Sequence, residues 1–372
     1  MNSTASLELY EMRGDDFFKL ASLKKKIEDF NLYVAGLPSF AKNFSRDSII
    51  SAILMKDVEM LKNQLCFCAL KQGIKKDSLT GEEPGKIFHE YPGFKLRGLS
   101  TEFNACDTTA LFLIGHEFYQ RWTNDKDLVK KQRENIQRGV NYILSHLRNF
   151  LFIDDPKFSN GQKFALKVTY WKDAWITSRK NNEPVYPVVY TLAHIQNMRA
   201  LRSAAKILKS DYLRKISEKM IKALKKLHDL DFGFYIAIDK LGPIKGISSD
   251  MLHSLFYLEK SDINDEQLKK ILNSSKILET EIGYRVLEPK LDSELKGGHY
   301  SNQVVPFEQA IIHIGAKKFE LKKVQEVSSR ILDVLDSEPE QFVIKNGSVK
   351  KSGPDPQLWT IATKKYFEKT IK

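Results

Sequence analysis

The segment Trp171-Lys172-Asp173-Ala174-Trp175 places one carboxyl group between two indoles and beside an ammonium group. The chain has only four tryptophans in 372 residues, and two of them are here. Flat apolar faces around a carboxyl group suit an acid that acts on a sugar. The indoles would raise the pKa of Asp173 by desolvating its charged form, whereas a nearby Lys172 ammonium would lower it. The structural alternative is an amphipathic turn whose tryptophans only pack.

A second polar cluster lies in residues 35–48, an aromatic-containing loop that ends where a helix is predicted to begin. Arg46 and Asp47 offer a donor fork and an acceptor for neighbouring sugar hydroxyls, with Phe44 beside them. If they bind the sugar, their replacement by alanine should weaken recognition more than it unfolds the protein. The alternative for Asp47 is a cap on that helix.

Further acids and histidines lie in loops between the predicted helices. Glu82, Glu83 and His89 belong to the segment 81–91, and Glu340 lies in the segment 336–342. Glu308 is at the start of a predicted helix, where an acid also interacts favourably with the helix dipole. All are candidates for the same site.

The elements that must position these groups are helices, because amphipathic periodicity dominates the chain. Consecutive helices joined by very short turns indicate helical hairpins as the structural unit. We predict twelve helices, at residues 15–28, 47–56, 57–72, 107–122, 128–150, 185–208, 211–228, 249–258, 265–273, 306–319, 321–335 and 355–369.

Long connections alternate with the short ones, which favours an all-α fold of six hairpins closed in a ring, with the long loops on one face. Such loops usually carry function. A β-hairpin is predicted in residues 233–238, bounded by Gly242-Pro243. The length alone suggests about two domains, with one large toroid as the main exception. We expect one barrel domain over residues 1–372, without a separate β-rich N-terminal domain.

The composition limits the classes of function. A net charge of +12 raises the question of a nucleic-acid partner, but the basic residues are scattered through helical segments, which is typical of solvated faces. Three cysteines without metal-ligand spacing indicate buried thiols in a reducing compartment. No long apolar run suggests a membrane segment, so a cytoplasmic protein that binds neither nucleic acid nor membrane is expected.

Several motifs, in the same order along the chain, resemble a known family. The chain is similar to glucoamylase-like six-hairpin glycosidases, and most of all to the C-terminal amylo-α-1,6-glucosidase domain of glycogen debranching enzymes. The resemblance covers roughly residues 30–365. It is carried by Ala35-Gly36-Leu37-Pro38, Phe44-Ser45-Arg46-Asp47-Ser48, residues 82–90, residues 107–113, residues 121–125, Trp171-Lys172-Asp173 and Gly297-Gly298-His299-Tyr300.

The resemblance implies an (α/α)6 barrel and an inverting, exo-acting glycosidase. Asp173 would be the general acid and Glu340, in a Glu-Gln-Phe context, the general base, facing each other across the ring. Phe44, Arg46 and Asp47 would bind the terminal sugar. Second candidates for the pit are Glu82, Glu83, His89, Trp171, Lys172, Trp175, His299 and Glu308. Neither metal nor cofactor is expected, because two carboxyl groups suffice for the proton transfers.

Residues 304–308 depart from the family pattern, because Val-Val-Pro-Phe-Glu stands where relatives usually have a Trp-Pro pair followed by His-Asp. Glu308 therefore competes with Glu340 as the base. The leading hypothesis is a hydrolase that releases a terminal glucosyl unit, with an α-1,6 or α-1,4 oligosaccharide or a small glucoside as substrate. The alternatives are a non-catalytic carbohydrate-binding or scaffold barrel and, on charge alone, a helical nucleic-acid binder.

Overall fold

The computed structural model describes residues 14–179, 183–295, 302–345 and 347–371, and helices dominate this part of the chain. In chain order the α-helices are α1 (Gly14–Leu23), α2 (Ser45–Met55), α3 (Val58–Leu70), α4 (Thr108–Thr123), α5 (Asp127–Lys131), α6 (Arg133–Ser145), α7 (Thr191–Leu208), α8 (Asp211–Ala223), α9 (Asp250–His253), α10 (Asp265–Ser275), α11 (Pro289–Glu294), α12 (Pro306–Lys318), α13 (Lys322–Ser329) and α14 (Leu358–Ile371).

Two kinds of helix alternate, and their sequences explain the difference. Helix α2 is apolar or small on most faces, and every one of its residues is buried. Helix α8 buries one stripe, Leu213, Ile216, Met220 and Ala223, and exposes its charged face. A helix that is buried all round belongs inside the core, whereas an amphipathic helix covers the core from outside.

The buried helices contact one another in a closed cycle. Helix α2 packs on α4, α4 on α7, α7 on α9, α9 on α12, α12 on α14, and α14 again on α2. Each also contacts the outer helix that is paired with it: α2 contacts α3, α4 contacts α6, α7 contacts α8, α9 contacts α10, α12 contacts α13, and α14 contacts α1. Helix α4 also contacts α3, and α7 also contacts α6. One cluster of buried apolar side chains extends from Leu20 to Phe367.

The strands are short, antiparallel and confined to the connections. Two sheets have three strands, one with residues 242–244, 237–239 and 189–190 in spatial order and the other with residues 303–304, 341–345 and 348–352, and the remaining strands form two-stranded sheets. Their bounds are β1 (Lys24–Ile27), β2 (Phe30–Tyr33), β3 (Asn43–Phe44), β4 (Glu90–Tyr91), β5 (Lys95–Leu96), β6 (Leu99–Ser100), β7 (Leu147–Arg148), β8 (Leu151–Phe152), β9 (Val189–Tyr190), β10 (His228–Asp229), β11 (Gly233–Phe234), β12 (Ala237–Asp239), β13 (Gly242–Ile244), β14 (Glu279–Thr280), β15 (Gly283–Tyr284), β16 (Gln303–Val304), β17 (Gln341–Lys345) and β18 (Ser348–Ser352).

Each of the twelve predicted segments contains a helix, but some boundaries were wrong. The first helix ends at Leu23 because residues 24–27 pair as a strand, and the predicted helix at 185–208 begins only at Thr191. Pro187 precedes that start and cannot donate an interior helical hydrogen bond. The predicted hairpin at 233–238 is divided, because β11 pairs with β10 while β12 pairs with β13 and β9.

Among the helices of the described residues, none combines the length and apolar character needed to cross a membrane.

Candidate functional site

Loops from four parts of the chain enclose a cavity of about 410 Å³. A volume of this size falls in the range of small-molecule sites. The loops lead into α2, contain β4 to β6, follow β8, and precede α14. The cavity is lined by Ala35, Phe40, Phe44, Arg46, Asp47, His89, Glu90, Phe94, Lys95, Leu96, Thr101, Leu166, Asp173, Glu340, Gln357 and Trp359.

Arg46 anchors the acidic end of the cavity. In the first turn of α2, its guanidinium donates two hydrogen bonds to Asp107, from Nε at 3.0 Å and from Nη2 at 2.9 Å. The remaining nitrogen, Nη1, donates to Asp173 Oδ2 at 3.1 Å. Asp107 is fully buried directly before α4, so one fork joins two inner helices to the loop that carries Asp173.

His89 approaches the same oxygen of Asp173. Its Nε2 lies 3.5 Å from Asp173 Oδ2, and its ring packs edge-on against Phe44 at 5.3 Å. Burial acts to lower the pKa of His89, but the nearby charge of Asp173 opposes burial, and the pKa is raised above its usual value. The charged imidazolium is therefore favoured beside Asp173.

Asp173 is ionised in the free protein. Burial acts to raise its pKa, but the charges of Arg46 and His89 lower the pKa below its usual value. Its side chain is 23% exposed, and Oδ1 accepts no hydrogen bond from any described residue. The backbone of Asp173 has φ +46°, a left-handed conformation that is uncommon for a residue other than glycine.

Asp47 has the opposite electrostatics. Burial raises its pKa to about 7. The negative charges of Glu340 and Asp173 also raise the pKa, whereas the charges of Arg46 and His89 lower it. It accepts a hydrogen bond from Gln357 Nε2 at 3.3 Å. The capping alternative is wrong, because the residue before α2 is Phe44 and no side chain caps this helix.

Glu340 closes the cavity from the connection before α14. Its amide donates to Pro354 O at 2.9 Å, and its carbonyl accepts from Trp359 Nε1 at 3.2 Å. Gly353 lies so close that an added Cβ would be 2.3 Å from Glu340 Oε2, and its φ is +83°. Only glycine fits both the contact and the conformation.

Several residues that line the cavity carry little signal in the sequence. Glu90 is buried, burial raises its pKa, and Oε2 has no hydrogen-bond partner among the described residues. Its neighbour His89 was a candidate, so their adjacency was the available signal. Trp359 supplies the indole of the cavity and stacks on Phe307 at 4.5 Å, whereas its sequence position, one residue into a helix, suggests only packing.

The structure places Glu82 and Glu83 away from the cavity. The carboxylate of Glu82 accepts from the amides of Ile74 and Lys75 and holds a loop in place. Glu83 is buried against Lys86 Nζ at 3.1 Å and His146 Nε2 at 3.0 Å. Both residues stabilise the connection rather than line the pit.

Most side chains of residues 171–175 are also turned away from the cavity. Trp171 is 1% exposed and Lys172 is fully buried, and neither lines the cavity; nor does the half-buried Trp175. Glu308 is fully buried and accepts from Ser249 Oγ at 2.7 Å. His299 lies outside the described residues.

Three buried groups, Asp250, His253 and Glu308, lie close enough to one another to share a metal ion. Both oxygens of Asp250 already accept hydrogen bonds from side-chain donors, one of them the ammonium of Lys172. Lys172 therefore supplies the positive charge that a cation would bring. This arrangement gives no support to a metal site.

The comparisons with known proteins show the fold. No known family and no curated protein sequence matches the chain. A GH63 mannosylglycerate hydrolase from Thermus thermophilus, solved with glucose, superposes with a TM-score of 0.69 at 12% identity, over 96% of this chain and 99% of that one. The same hydrolase was also solved with Tris and D-glycerate, with a TM-score of 0.68.

A GH78 family rhamnosidase of a Bacillus species superposes with a TM-score of 0.61 at 12% identity, over 91% of this chain and 33% of that one. The two neighbours are thus named as a mannosylglycerate hydrolase of GH63 and a rhamnosidase of GH78. None of these comparisons points to the debranching-enzyme domain in particular, so that finer resemblance stays a prediction.

Proposed function

We propose that this protein is an inverting, exo-acting glycoside hydrolase that releases a terminal glucosyl unit from an α-glucoside. The observation that carries the proposal is the meeting of Asp173 and Glu340, far apart in sequence, on one cavity. We further propose that the closed cycle of buried helices is the inner ring of an (α/α)6 barrel. In such a ring the loops before the third and the sixth inner helix lie opposite each other.

In this mechanism the carboxyl group of Asp173 protonates the leaving oxygen. Glu340 activates the water that attacks the opposite face of the sugar, a geometry that needs about 6.5–9.5 Å between the carboxyl groups. The carboxyl group of Asp47 and the guanidinium of Arg46 bind hydroxyls of the terminal ring. Phe44 and Trp359 offer apolar faces to it.

The acid must gain a proton before it can act. Arg46 and His89 keep Asp173 ionised in the free protein, so bound sugar has to raise its pKa by displacing the remaining water from the site. The basic limb of kcat, which reports the complex, should then lie at higher pH than that of kcat/KM, which reports the free enzyme.

The structural neighbours support a small saccharide as substrate. One is a mannosylglycerate hydrolase whose structures contain glucose in one case and D-glycerate in another. Since the match covers nearly the whole of that chain at only 12% identity, it supports the architecture and not the linkage. Both an oligosaccharide and a small glucoside remain candidate substrates.

One observation favours a second candidate, a carbohydrate-binding barrel without turnover. An ionised Asp173 cannot donate a proton, and its pKa is held low. In this alternative the cavity binds a sugar through the same carboxylates, and the wild-type protein shows binding without hydrolysis.

The test is incubation with a panel of α- and β-glucosides, including α-1,4 and α-1,6 oligosaccharides and α-glucosides of small acids, while NMR follows the released anomer. An initial β-anomer from an α-glucoside supports activity and inversion together. An initial α-anomer would overturn inversion. Calorimetric binding of the same compounds without any hydrolysis would favour the binding barrel.

A further inference from the structure

Three successive side chains ahead of the proposed acid converge on one carboxylate. Asp250, the first residue of α9, accepts from the hydroxyl of Tyr170 at 2.8 Å, the indole of Trp171 at 2.8 Å and the ammonium of Lys172 at 2.8 Å. Asp250 is buried, and it does not line the cavity. Every donor of this run points away from the cavity, whereas the next residue, Asp173, points into it.

The backbone at this point needs such a restraint. Asp173 has φ +46°, and its amide closes a tight turn by donating to Tyr170 O at 2.9 Å. A left-handed conformation at a residue other than glycine is strained and persists only where the surroundings enforce it. Anchoring residues 170–172 leaves Asp173 few alternatives to its observed direction.

The anchor is electrostatic as well as geometric. Burial acts to raise the pKa of Asp250, but Lys172 and the hydrogen-bonding side chains lower it below its usual value. The ammonium of Lys172 also lies 4.1 Å from the ring centroid of Trp171. Asp250 therefore holds Lys172 on the far side of the loop, and the charges that act most strongly on Asp173 come from Arg46 and His89.

Global stability does not explain this arrangement by itself. A buried ion pair gives little net stability, since desolvation of two charges offsets their attraction. The same connection packs additional apolar surface, because Trp171 contacts Phe307 edge-on at 5.3 Å. A purely apolar contact would fill the space equally well but would not fix three consecutive side chains in direction.

We propose that Asp250 is a positioning residue for the acid, which holds Tyr170, Trp171 and Lys172 so that the carboxyl group of Asp173 stays aimed into the cavity. This rests on the proposed function, in which Asp173 is the proton donor. Asp250 touches no substrate and acts only through the loop.

The kinetic test compares Asp250→Asn with Glu83→Gln. Both remove the charge of a buried carboxylate paired with a buried lysine, but Glu83 lies away from the cavity. For Asp250→Asn we expect kcat on a glucoside with a poor leaving group to fall about 10–100-fold. Losses of this size are typical when a residue that orients a functional side chain is removed. KM should change less than about threefold, and a glucosyl fluoride should be affected much less, because its departure needs little protonation. Glu83→Gln should leave kcat unchanged on both substrates.

A second measurement does not depend on activity. Hydrogen exchange of the amides of residues 170–175 should accelerate in Asp250→Asn and stay at the wild-type rate in Glu83→Gln. If Asp250→Asn does not fold, Tyr170→Phe removes one of the three donors and should show the same pattern with a loss of up to about tenfold in kcat.

Unchanged exchange at residues 170–175, or an equal loss of kcat on both classes of substrate, would overturn the inference. If the wild-type protein hydrolyses no glucoside, the proposed function fails, and the exchange measurement still decides whether Asp250 holds the loop.

Discussion

Two charged regions of this protein look alike in sequence and differ in structure. In the buried cluster around Glu83, the carboxylate faces Lys86 and His146. Burial and the charge of Lys86 hold the pKa of His146 well below its usual value, so the imidazole is neutral and Glu83 is paired with the ammonium of Lys86. Glu83, Lys86 and His146 are buried, and none of them lines the cavity around Asp173.

The cavity around Asp173 is arranged differently. Its four acids share Arg46 and His89, together with an exposed lysine at the rim, and Arg46 is already bound twice by Asp107. Carboxylate oxygens of Asp173 and Glu90 are left without a partner among the described residues. Buried polar groups are normally paired, so an exception beside a cavity indicates a place for a ligand.

Asp173→Asn should show the largest functional difference between the cavity and the cluster around Glu83. We expect kcat on a glucoside with a poor leaving group to fall about 10²–10⁴-fold while binding persists, because the amide keeps the shape but delivers no proton. Glu83→Gln should lower the melting temperature, because Lys86 loses its charged partner, and should leave kcat unchanged. Steady-state kinetics with calorimetric binding measures both, and near wild-type hydrolysis by Asp173→Asn would remove it from the acid role.

Glu340→Ala and Glu308→Ala separate a cavity acid from a buried one. Glu340→Ala should lower kcat about 10²–10⁴-fold through loss of the base. Glu308→Ala removes the buried carboxylate that accepts from Ser249 Oγ at 2.7 Å and leaves this hydroxyl only the carbonyl of Val286 at 3.2 Å, so it should cost about 1–3 kcal/mol of stability with little change in kcat. With azide and an activated glucosyl fluoride of the natural anomer, Glu340→Ala should regain turnover as the inverted glucosyl azide. Rescue of Glu308→Ala alone would reverse the assignment.

The sequence predicted the helices well because helical periodicity is local and is set by the packing of each segment. It brought Phe44, Arg46, Asp47, His89, Asp173 and Glu340 forward as candidates, and the structure gathers all of them at one cavity. It could not show the direction of each side chain. Trp171 and Lys172 are adjacent to Asp173 but face Asp250, a partner 78 residues from Lys172 whose place in the fold no local pattern reveals.

Arg46→Ala should destabilise the protein, although the sequence suggested a loss of recognition above all. The guanidinium is 2% exposed and forms both hydrogen bonds to the fully buried Asp107. Removing it leaves an uncompensated buried charge, which costs about 3–5 kcal/mol. Chemical denaturation should show this loss, and Arg46→Lys should recover part of it, since lysine keeps the charge but not the fork. A wild-type free energy of unfolding in Arg46→Ala would contradict the structural role.

The smallest effect concerns Asp47 and the pH dependence of stability. Its pKa is about 7 in the folded protein, against an ordinary value of 3.8. A carboxyl whose folded pKa is raised binds its proton more tightly in the folded state, so its stabilising contribution is complete below about pH 4 and is lost as the pH rises through about 7.

In Asp47→Asn this loss is absent. The free energy of unfolding of the variant, relative to wild type, should therefore increase by about 1.4 kcal/mol from pH 5 to pH 6. Denaturant unfolding of wild type and Asp47→Asn at the two pH values measures this change. A difference between wild type and Asp47→Asn that does not change with pH would mean that Asp47 is ionised throughout, and the cavity would then hold one more negative charge at pH 6 than proposed here.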